Sequence, residues 1–313
     1  MTAGSGFDRP SFYCAAGNSP TSMPVRFTVR KVDLRTMGNL VRILVQNPGI
    51  GYAELFVQSR PLGFKTQSRL FHYLSTGRCM QLMFASRGHY AASALGRDLL
   101  SKLDASAEPL ELARTIEKGL EKCPPLSKVL KAVTPSGIEP GLKAAMEKGE
   151  VVRVESSGRE SFTLLDLSGQ PRLVANTMTE VNEVRWGSIP ILVQLGVLCW
   201  LYLGTDTEIS GRYLFPVPLG KDSRAWEELV KDELHSLGAE KRWVPVGRLL
   251  YAMALRYRCE PKRVKAVIAG LAEQEPAEFQ LSEATRELVT DDGFVDFRGS
   301  PRSHIRLGEV ENA

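Results

Sequence analysis

Basic and polar side chains recur at helical spacing in one short segment, residues 65–78. Within it, Phe71 and Leu74 lie three positions apart with Leu70 beside them, so all three are predicted to pack inward. The side chains left to face outward are Lys65, Gln67, Ser68, Arg69 and His72. Such side chains offer positive charge and hydrogen-bond donors, which are the groups that bind phosphate oxygens and the edges of nucleic-acid bases.

The ends of this predicted helix carry their own signals. Thr66 or Ser68 can cap its N-terminus, and Gly77 can close its C-terminus. Two further helices are predicted upstream, over Leu34–Val45 and Tyr52–Ser59. The basic segment is therefore predicted to be the third helix of a group.

A β-hairpin and a closing helix are predicted after the third helix. Cys79–Phe84 and His89–Ala92 are predicted strands around a turn at residues 85–88, and Ser93–Leu103 is a predicted helix. The order helix, helix, helix, hairpin, helix resembles that of winged helix-turn-helix DNA-binding domains. Residues 66–74 are similar to the recognition helix of that family.

The resemblance implies a DNA interface made of the third helix and the hairpin. The third helix would enter the major groove of double-stranded DNA, and the hairpin, or wing, would hold the adjacent backbone. Gln67 departs from the family pattern, which usually has an inward aliphatic residue at that position. Arg69 is the candidate for a bidentate contact to guanine. The resemblance assigns DNA contact here to Lys65, Thr66, Gln67, Ser68, Arg69, His72, Arg78, Arg87 and His89.

Positive charge is concentrated in this part of the chain. Residues 23–107 contain twelve Lys and Arg against four Asp and Glu, a net charge of +8, whereas the whole chain has 40 against 36, a net charge of +4. A basic surface attracts the phosphate backbone through Coulomb forces and the release of counterions. The alternative interpretation is a solvated basic face without a ligand.

The following segment, residues 108–172, is predicted to repeat the same unit. Residues 109–172 hold ten basic and nine acidic residues, a net charge of +1. This is a poor phosphate surface, so the predicted role of the second unit is packing or protein contact. Its predicted helices are Leu110–Lys122, Leu126–Val133 and Ile138–Lys148, and its predicted hairpin joins Val151–Val154 to Phe162–Leu165.

A third unit is predicted over residues 223–313. Fourteen basic and sixteen acidic residues give it a net charge of −2, so any DNA contact must come from a local basic cluster. Its predicted third helix, Pro261–Glu273, begins with basic side chains, and a hairpin with arginines near its tip follows. The candidate DNA contacts are Lys262, Arg263, Lys265, Arg298 and Arg302.

Residues 188–203 form an almost wholly apolar run between the second and third units. The run has sixteen residues, fewer than the ~20 that span a membrane, and it includes Pro190, Gln194 and Gly196. Two interpretations remain open. The run is either a buried helix around which the neighbouring units pack, or an exposed surface for self-association or a protein partner.

The predicted fold is mainly α with small β-hairpin wings, in the α+β class, and consists of tandem winged-helix domains. A length of 313 residues suits several small domains better than one large one. The predicted segments are a flexible tail (1–24), a first winged-helix domain that is the principal DNA reader (25–107), a second (108–172), an apolar helix with a connector (173–222) and a third (223–313).

The cysteines are predicted to be reduced. They are far apart in the sequence and odd in number, so neither a disulfide framework nor a Cys-x-x-Cys zinc site is indicated. Reduced thiols are usual in an intracellular protein. The five are Cys14, Cys79, Cys123, Cys199 and Cys259.

No constellation for catalysis occurs in the sequence. It has no Gly-Lys-Ser or Gly-Lys-Thr phosphate loop, no His-Glu-x-x-His and no Gly-x-Ser-x-Gly, and its four histidines lack partners at metal-ligand spacing. The pair Asp291 and Asp292 is predicted to lie in a turn. No catalytic residue, cofactor or metal site is therefore predicted.

These patterns predict a double-stranded DNA-binding protein of the cell interior, in the cytoplasm or associated with a nucleoid or nucleus. The predicted role is transcription regulation or DNA maintenance, without a membrane contact. The alternative is a winged-helix subunit that binds other proteins within a larger assembly.

Overall fold

The computed structural model combines helices with antiparallel sheets, so the predicted α+β class is confirmed. The predicted N-terminal tail and Asp291 of the predicted turn lie outside the described residues. None of the helices in the described part of the chain has the length and apolar character needed to cross a membrane. The structure describes residues 29–158, 160–204, 209–217, 226–283 and 292–308.

The first unit has four helices and a three-stranded sheet. Strand β3 is central, because both β1 and β2 pair with it in antiparallel fashion. Arg87 and Gly88 form the two-residue turn between β2 and β3, with φ of +49° and +80°. The elements are α1 (Leu34–Gln46), β1 (Ile50–Gly51), α2 (Tyr52–Ser59), α3 (Gln67–Cys79), β2 (Met83–Ser86), β3 (His89–Ala92) and α4 (Ala94–Asp104).

Side-chain caps fix where three of these helices begin. The Asp33 carboxylate, the Thr66 hydroxyl and the Ser93 hydroxyl each accept a hydrogen bond from the backbone N–H three residues on, over 2.7, 3.3 and 2.9 Å. The predicted end of α3 at Gly77 is wrong, because the helix continues to Cys79. Gly77 instead allows a close approach, since a Cβ there would lie 2.6 Å from Met83 Cε.

The second unit contributes to a five-stranded antiparallel sheet in the order β6-β5-β4-β8-β7. This sheet crosses the predicted boundary at residue 172. The predicted helix Leu110–Lys122 is divided at Ile116. The elements are α5 (Pro109–Thr115), α6 (Glu117–Lys122), α7 (Pro124–Val133), α8 (Leu142–Lys148), β4 (Val152–Ser157), β5 (Ser161–Leu165), β6 (Pro171–Ala175), α9 (Met178–Glu183), α10 (Ile189–Gln194), β7 (Leu198–Leu203) and β8 (Gly211–Pro216), with a π-helical turn at Val184–Ser188.

The predicted buried helix over residues 188–203 is wrong. The run contains α10 and then β7, with Gly196 at φ +65° between them. Strand β7 is apolar on both faces because Leu198 enters one core and Leu201 enters the other. A strand buried on both faces has the same continuous apolar pattern as a buried helix. The chain's own cores therefore account for most of this run, whereas Tyr202 on β7 is 36% exposed.

The third unit begins with the same element order as the first, a helix, a short strand and two helices. In both units a two-residue strand precedes the second helix and pairs with the last strand of the unit, β1 with β3 and β9 with β12. Strand β12 also pairs with β10 and β11, and β10 was not predicted. The elements are α11 (Trp226–Ser236), β9 (Val244–Pro245), α12 (Val246–Tyr257), α13 (Pro261–Gln274), β10 (Phe279–Glu283), β11 (Val295–Phe297) and β12 (Ser300–Leu307).

Two hydrophobic cores meet at the five-stranded sheet. The first core runs from Val29 to Leu214 and includes side chains of the first and second units. The second core joins the third unit to the other face of the sheet through Tyr213 and Phe215, which flank Leu214 on β8. Because side chains alternate between the faces of a strand, β8 belongs to both cores.

Polar contacts reinforce the docking of the third unit. The Arg258 guanidinium donates hydrogen bonds to three carbonyl oxygens at the C-terminal end of α8, those of Ala145 (3.2 Å), Glu147 (3.0 Å) and Gly149 (3.4 Å). A cation is stabilised at that end of a helix by the helix dipole. Asp292 accepts a hydrogen bond from the backbone N–H of Tyr202 at the edge of β7, over 2.9 Å.

A disulfide bond joins Cys79 at the end of α3 to Cys123, the residue before α7. The predicted reduced state is therefore wrong for this pair. The two residues are 44 positions apart, and only the packing of α3 against the second unit brings their Cα atoms to 5.0 Å. Cys199 and Cys259 are free, and burial raises the pKa of each thiol to about 12.

We expect the Cys79→Ala/Cys123→Ala variant to be less stable than the parent by roughly 2–4 kcal/mol, because the bond restricts the unfolded chain. Urea unfolding followed by circular dichroism checks this. Reductant should lower the parent's unfolding midpoint and leave the variant's midpoint unchanged. Equal midpoints for the parent, with and without reductant, and for the variant would contradict a stabilising bond.

Candidate nucleic-acid interface

The candidate interface is formed by α3, the loop before it and the β2–β3 hairpin. Three buried side chains fix the rotation of α3: Leu70, Tyr73 and Leu74. The Tyr73 hydroxyl accepts a hydrogen bond from the Asp33 N–H (3.0 Å), and its ring meets Phe64 edge-on. We define the α3 face as the exposed residues Lys65, Gln67, Ser68, Arg69 and Phe71.

The predicted inward position of Phe71 is wrong, since 49% of this residue is exposed. The inward row is formed by Leu70, Tyr73, Leu74 and Gly77, which follow the i, i+3, i+4, i+7 spacing of one helix face. Phe71 lies off that row and shares the outward side with Gln67, one turn earlier. The prediction was wrong because it placed all three apolar residues, Leu70, Phe71 and Leu74, on the inward side.

Arg69 lies at the N-terminal end of α3. Its Nη1 donates a hydrogen bond to the carbonyl of Gly63 (3.3 Å), and its guanidinium carbon is 5.9 Å from the centre of the Phe64 ring. The side chain is still exposed, as are Lys65 and the capping residue Thr66. The cationic side chains of Lys65 and Arg69 thus lie at the N-terminus of α3, where the helix dipole is positive. This combination favours the binding of an anion.

His72 is half-buried rather than outward. Its Nδ1 is buried without a hydrogen-bond partner among the described residues, and its Nε2 lies 3.4 Å from the Ser68 hydroxyl. Burial lowers the pKa of the imidazole below its ordinary value, and the charge of Arg30 lowers it further. His72 is therefore a neutral polar group near pH 7 and adds no positive charge to the interface.

The hairpin presents Arg87 at its turn, where the side chain is exposed. His89 is also exposed, and its Nδ1 lies 2.8 Å from the carbonyl of Gly49, which ties the hairpin to the loop before β1. Arg78, near the end of α3, is half-buried. Burial raises the pKa of Tyr90, and the Arg78 charge opposes that rise.

The basic cluster of the third unit is only partly exposed. Lys262 and Arg263 on α13 are exposed, as is Arg298 at the β11–β12 turn. Lys265 is half-buried and forms an ion pair with Asp292, with 3.1 Å between Nζ and Oδ1. The predicted outward position of Lys265 is thus wrong, because the ion pair and the Phe294 ring hold it against its own unit. Arg302 on β12 is half-buried.

The described residues offer no obvious site for metal or nucleophilic chemistry. No group of three or more His, Cys, Asp and Glu side chains among them could hold a metal ion. The raised thiol pKa values of Cys199 and Cys259 disfavour the thiolate that acts as a nucleophile.

Comparisons with protein-family models, with curated proteins and with solved structures found no match to this chain. The function is therefore inferred from the charge, the exposure and the contacts of the chain's own residues. Two exposed aromatic residues on the first unit, Phe71 and Phe84, were not predicted as surface features. The spacing of the inward row, Leu70, Tyr73, Leu74 and Gly77, would have predicted that Phe71 faces outward.

We expect His72 to make the folded state less stable as the pH falls. Its pKa is lower in the folded chain than in the unfolded chain, so the unfolded state binds more protons below about pH 6.5. The stabilisation is present above that pH and is lost as the pH falls through the folded pKa. Urea midpoints at pH 7.5 and 5.5 should therefore differ less for His72→Gln than for the parent. An equal difference in both proteins would contradict the assignment.

Proposed function

We propose that the first unit is a winged-helix domain that binds double-stranded DNA. In this proposal α3 enters the major groove and the β2–β3 hairpin lies on the neighbouring backbone. The order α1, β1, α2, α3, β2, β3, with β1 paired to β3, supports the assignment. The exposed turn at Arg87 supports the role given to the hairpin.

The distribution of charge is the observation that carries this proposal. Between Glu54 and Asp98 the chain has six Lys and Arg and not one Asp or Glu. That stretch includes all of α3 and the hairpin, so no carboxylate of either element opposes a phosphate. The four acidic residues of the unit lie elsewhere, and one of them, Asp104, is paired with Arg42. A field of one sign over an exposed helix N-terminus favours a polyanion.

The residues have different proposed roles. Arg69 is proposed to bind a base edge from the start of α3, with Gln67 and Ser68 beside it as hydrogen-bonding groups. Lys65, Arg87 and His89 are proposed to bind the phosphate backbone, which gives affinity without sequence preference. Thr66 caps α3, and because it is exposed it is also proposed to contact the same backbone.

The third unit is proposed as a secondary DNA contact. Lys262, Arg263 and Arg298 are exposed, but the unit as a whole has a net charge of −2. Its ion pair between Lys265 and Asp292 removes one cation from the cluster. We propose that the protein acts by binding, in transcription regulation or DNA maintenance, and not as an enzyme.

A second function, contact with another protein, is favoured by the surface of the second unit. Val174 on β6, Met178 on α9 and Trp186 in the π-helical turn are 50%, 65% and 45% exposed. Residues 109–186, which include all three, hold eleven basic and eleven acidic residues and so have no net charge. Exposed apolar side chains on a weakly charged surface suit a protein partner better than a phosphate backbone.

We expect Arg69→Ala and Arg87→Ala to weaken DNA binding in different ways. Loss of a base contact should cost about 1–3 kcal/mol and change the sequence preference, whereas loss of a phosphate contact should weaken all duplexes alike and lower the salt slope by about 1. Fluorescence anisotropy with labelled duplexes at several salt concentrations measures both effects.

Arg114→Ala is the matched control for these variants, because Arg114 is an exposed arginine on α5 of the second unit. It should bind DNA like the parent. Equal affinities of Arg69→Ala and the parent at low salt would contradict the role of Arg69. Absence of binding by the parent at low salt would contradict the proposed function itself.

A further inference from the structure

Phe71 is an apolar side chain in the middle of a polar surface. All of α3 is described, and within it Phe71 is the one large apolar residue with close to half of its surface exposed, at 49%. Gln67 and Ser68 lie one turn before it, and Lys65 and Arg69 complete the α3 face. A single exposed apolar residue is ordinary on a protein surface, so the position of Phe71 matters more than its exposure.

The ring is held outward by the packing of α3. Leu70, Tyr73 and Leu74 are 0%, 4% and 1% exposed and fill the inward side of the helix. Phe71 can reach that side only if α3 rotates and exposes these three residues, which burial opposes. Its ring centre lies 6.3 Å from that of His72, whose own ring is half-buried. The outward phenyl group is thus a fixed feature of the surface.

We propose that Phe71 contacts the 5-methyl group of thymine in the major groove and gives the protein a preference for thymine-containing duplexes. The inference rests on the proposed function and adds a residue that reads sequence. Thymine alone among the four bases presents a methyl group in the major groove, and apolar side chains, including Phe, recognise it by contact. The donors of Gln67 and Arg69 remain available for neighbouring base edges.

The surroundings favour DNA over a protein as the occupant of this face. Every other member of the α3 face is polar or basic, whereas the centre of a protein interface is apolar and poor in charge. The stretch between Glu54 and Asp98 has no carboxylate, so the charge around the ring is complementary to a phosphate backbone. The Phe71 ring within a cationic surface is therefore complementary to a thymine methyl group in a groove lined by phosphates.

Two duplexes that differ only in the methyl group test the proposal. One is a 24-base-pair alternating dA–dT duplex, and the other has deoxyuridine in place of every thymidine. Both carry the same charge, so the phosphate contacts are matched. The full-length parent should bind the thymine duplex about fourfold more tightly, the change that burial of one methyl group gives. The Phe71→Ala variant should bind both duplexes equally.

Trp186→Ala is the matched control, because Trp186 is also an exposed aromatic residue, at 45%, but lies in the π-helical turn of the second unit, outside the candidate interface. It should keep the preference for the thymine duplex. Equal binding of both duplexes by the parent would overturn the proposal, and so would a preference that survives Phe71→Ala. If the parent binds neither duplex, DNA binding itself is contradicted. If it binds both duplexes equally, only the thymine preference is contradicted. Circular dichroism should show the same melting temperature for Phe71→Ala and the parent, since the residue is exposed.

Discussion

The placing of side chains from strands β7 and β8 into two cores, one on each face of the sheet, is the constraint on which the rest of the structure depends. Leu214 packs into the core that includes the first and second units, while Tyr213 and Phe215 pack into the core of the third. Apolar burial is the main favourable contribution to folding. Here the apolar side chains of β7 and β8 are buried in both cores. The units cannot therefore be treated as separate domains on a flexible chain. Arg258 and Asp292 add polar contacts that fix the third unit against the sheet and against α8.

The same scaffold holds the candidate interface in place. Helix α3 is attached to the shared core through Leu70 and Leu74 and to the second unit through the Cys79–Cys123 bond. Its outward side is left with short polar groups, basic groups and the ring of Phe71. A rigid helix that presents such groups to solvent loses little conformational freedom on binding, so its contacts can be specific. Because no carboxylate lies between Glu54 and Asp98, α3 and the hairpin themselves contribute only basic charges.

Local patterns predicted local structure well. The bounds of α2 are those expected, α1 begins at the expected Leu34, and Thr66, one of the two predicted caps, begins α3. The sequence could not predict features that depend on tertiary packing. The apolar run at residues 188–203 enters two cores, so it has no hydrophobic period that distinguishes a strand from a helix. Cys79 lies close to Cys123 only because α3 contacts the second unit. For the interface, the basic residues were identified from their spacing, but the exposure of Phe71 and the ion pair of Lys265 were not.

Hydrogen–deuterium exchange of the full-length protein, with and without a 24-base-pair duplex, tests the central claim most directly. If α3 and the hairpin form the DNA interface, amide exchange should slow in peptides that cover Gln67–Cys79 and Met83–Ala92. The exposed apolar surface around Met178 should exchange at an unchanged rate. Protection confined to the second unit, or no protection of α3 under conditions where the duplex is bound, would contradict the account.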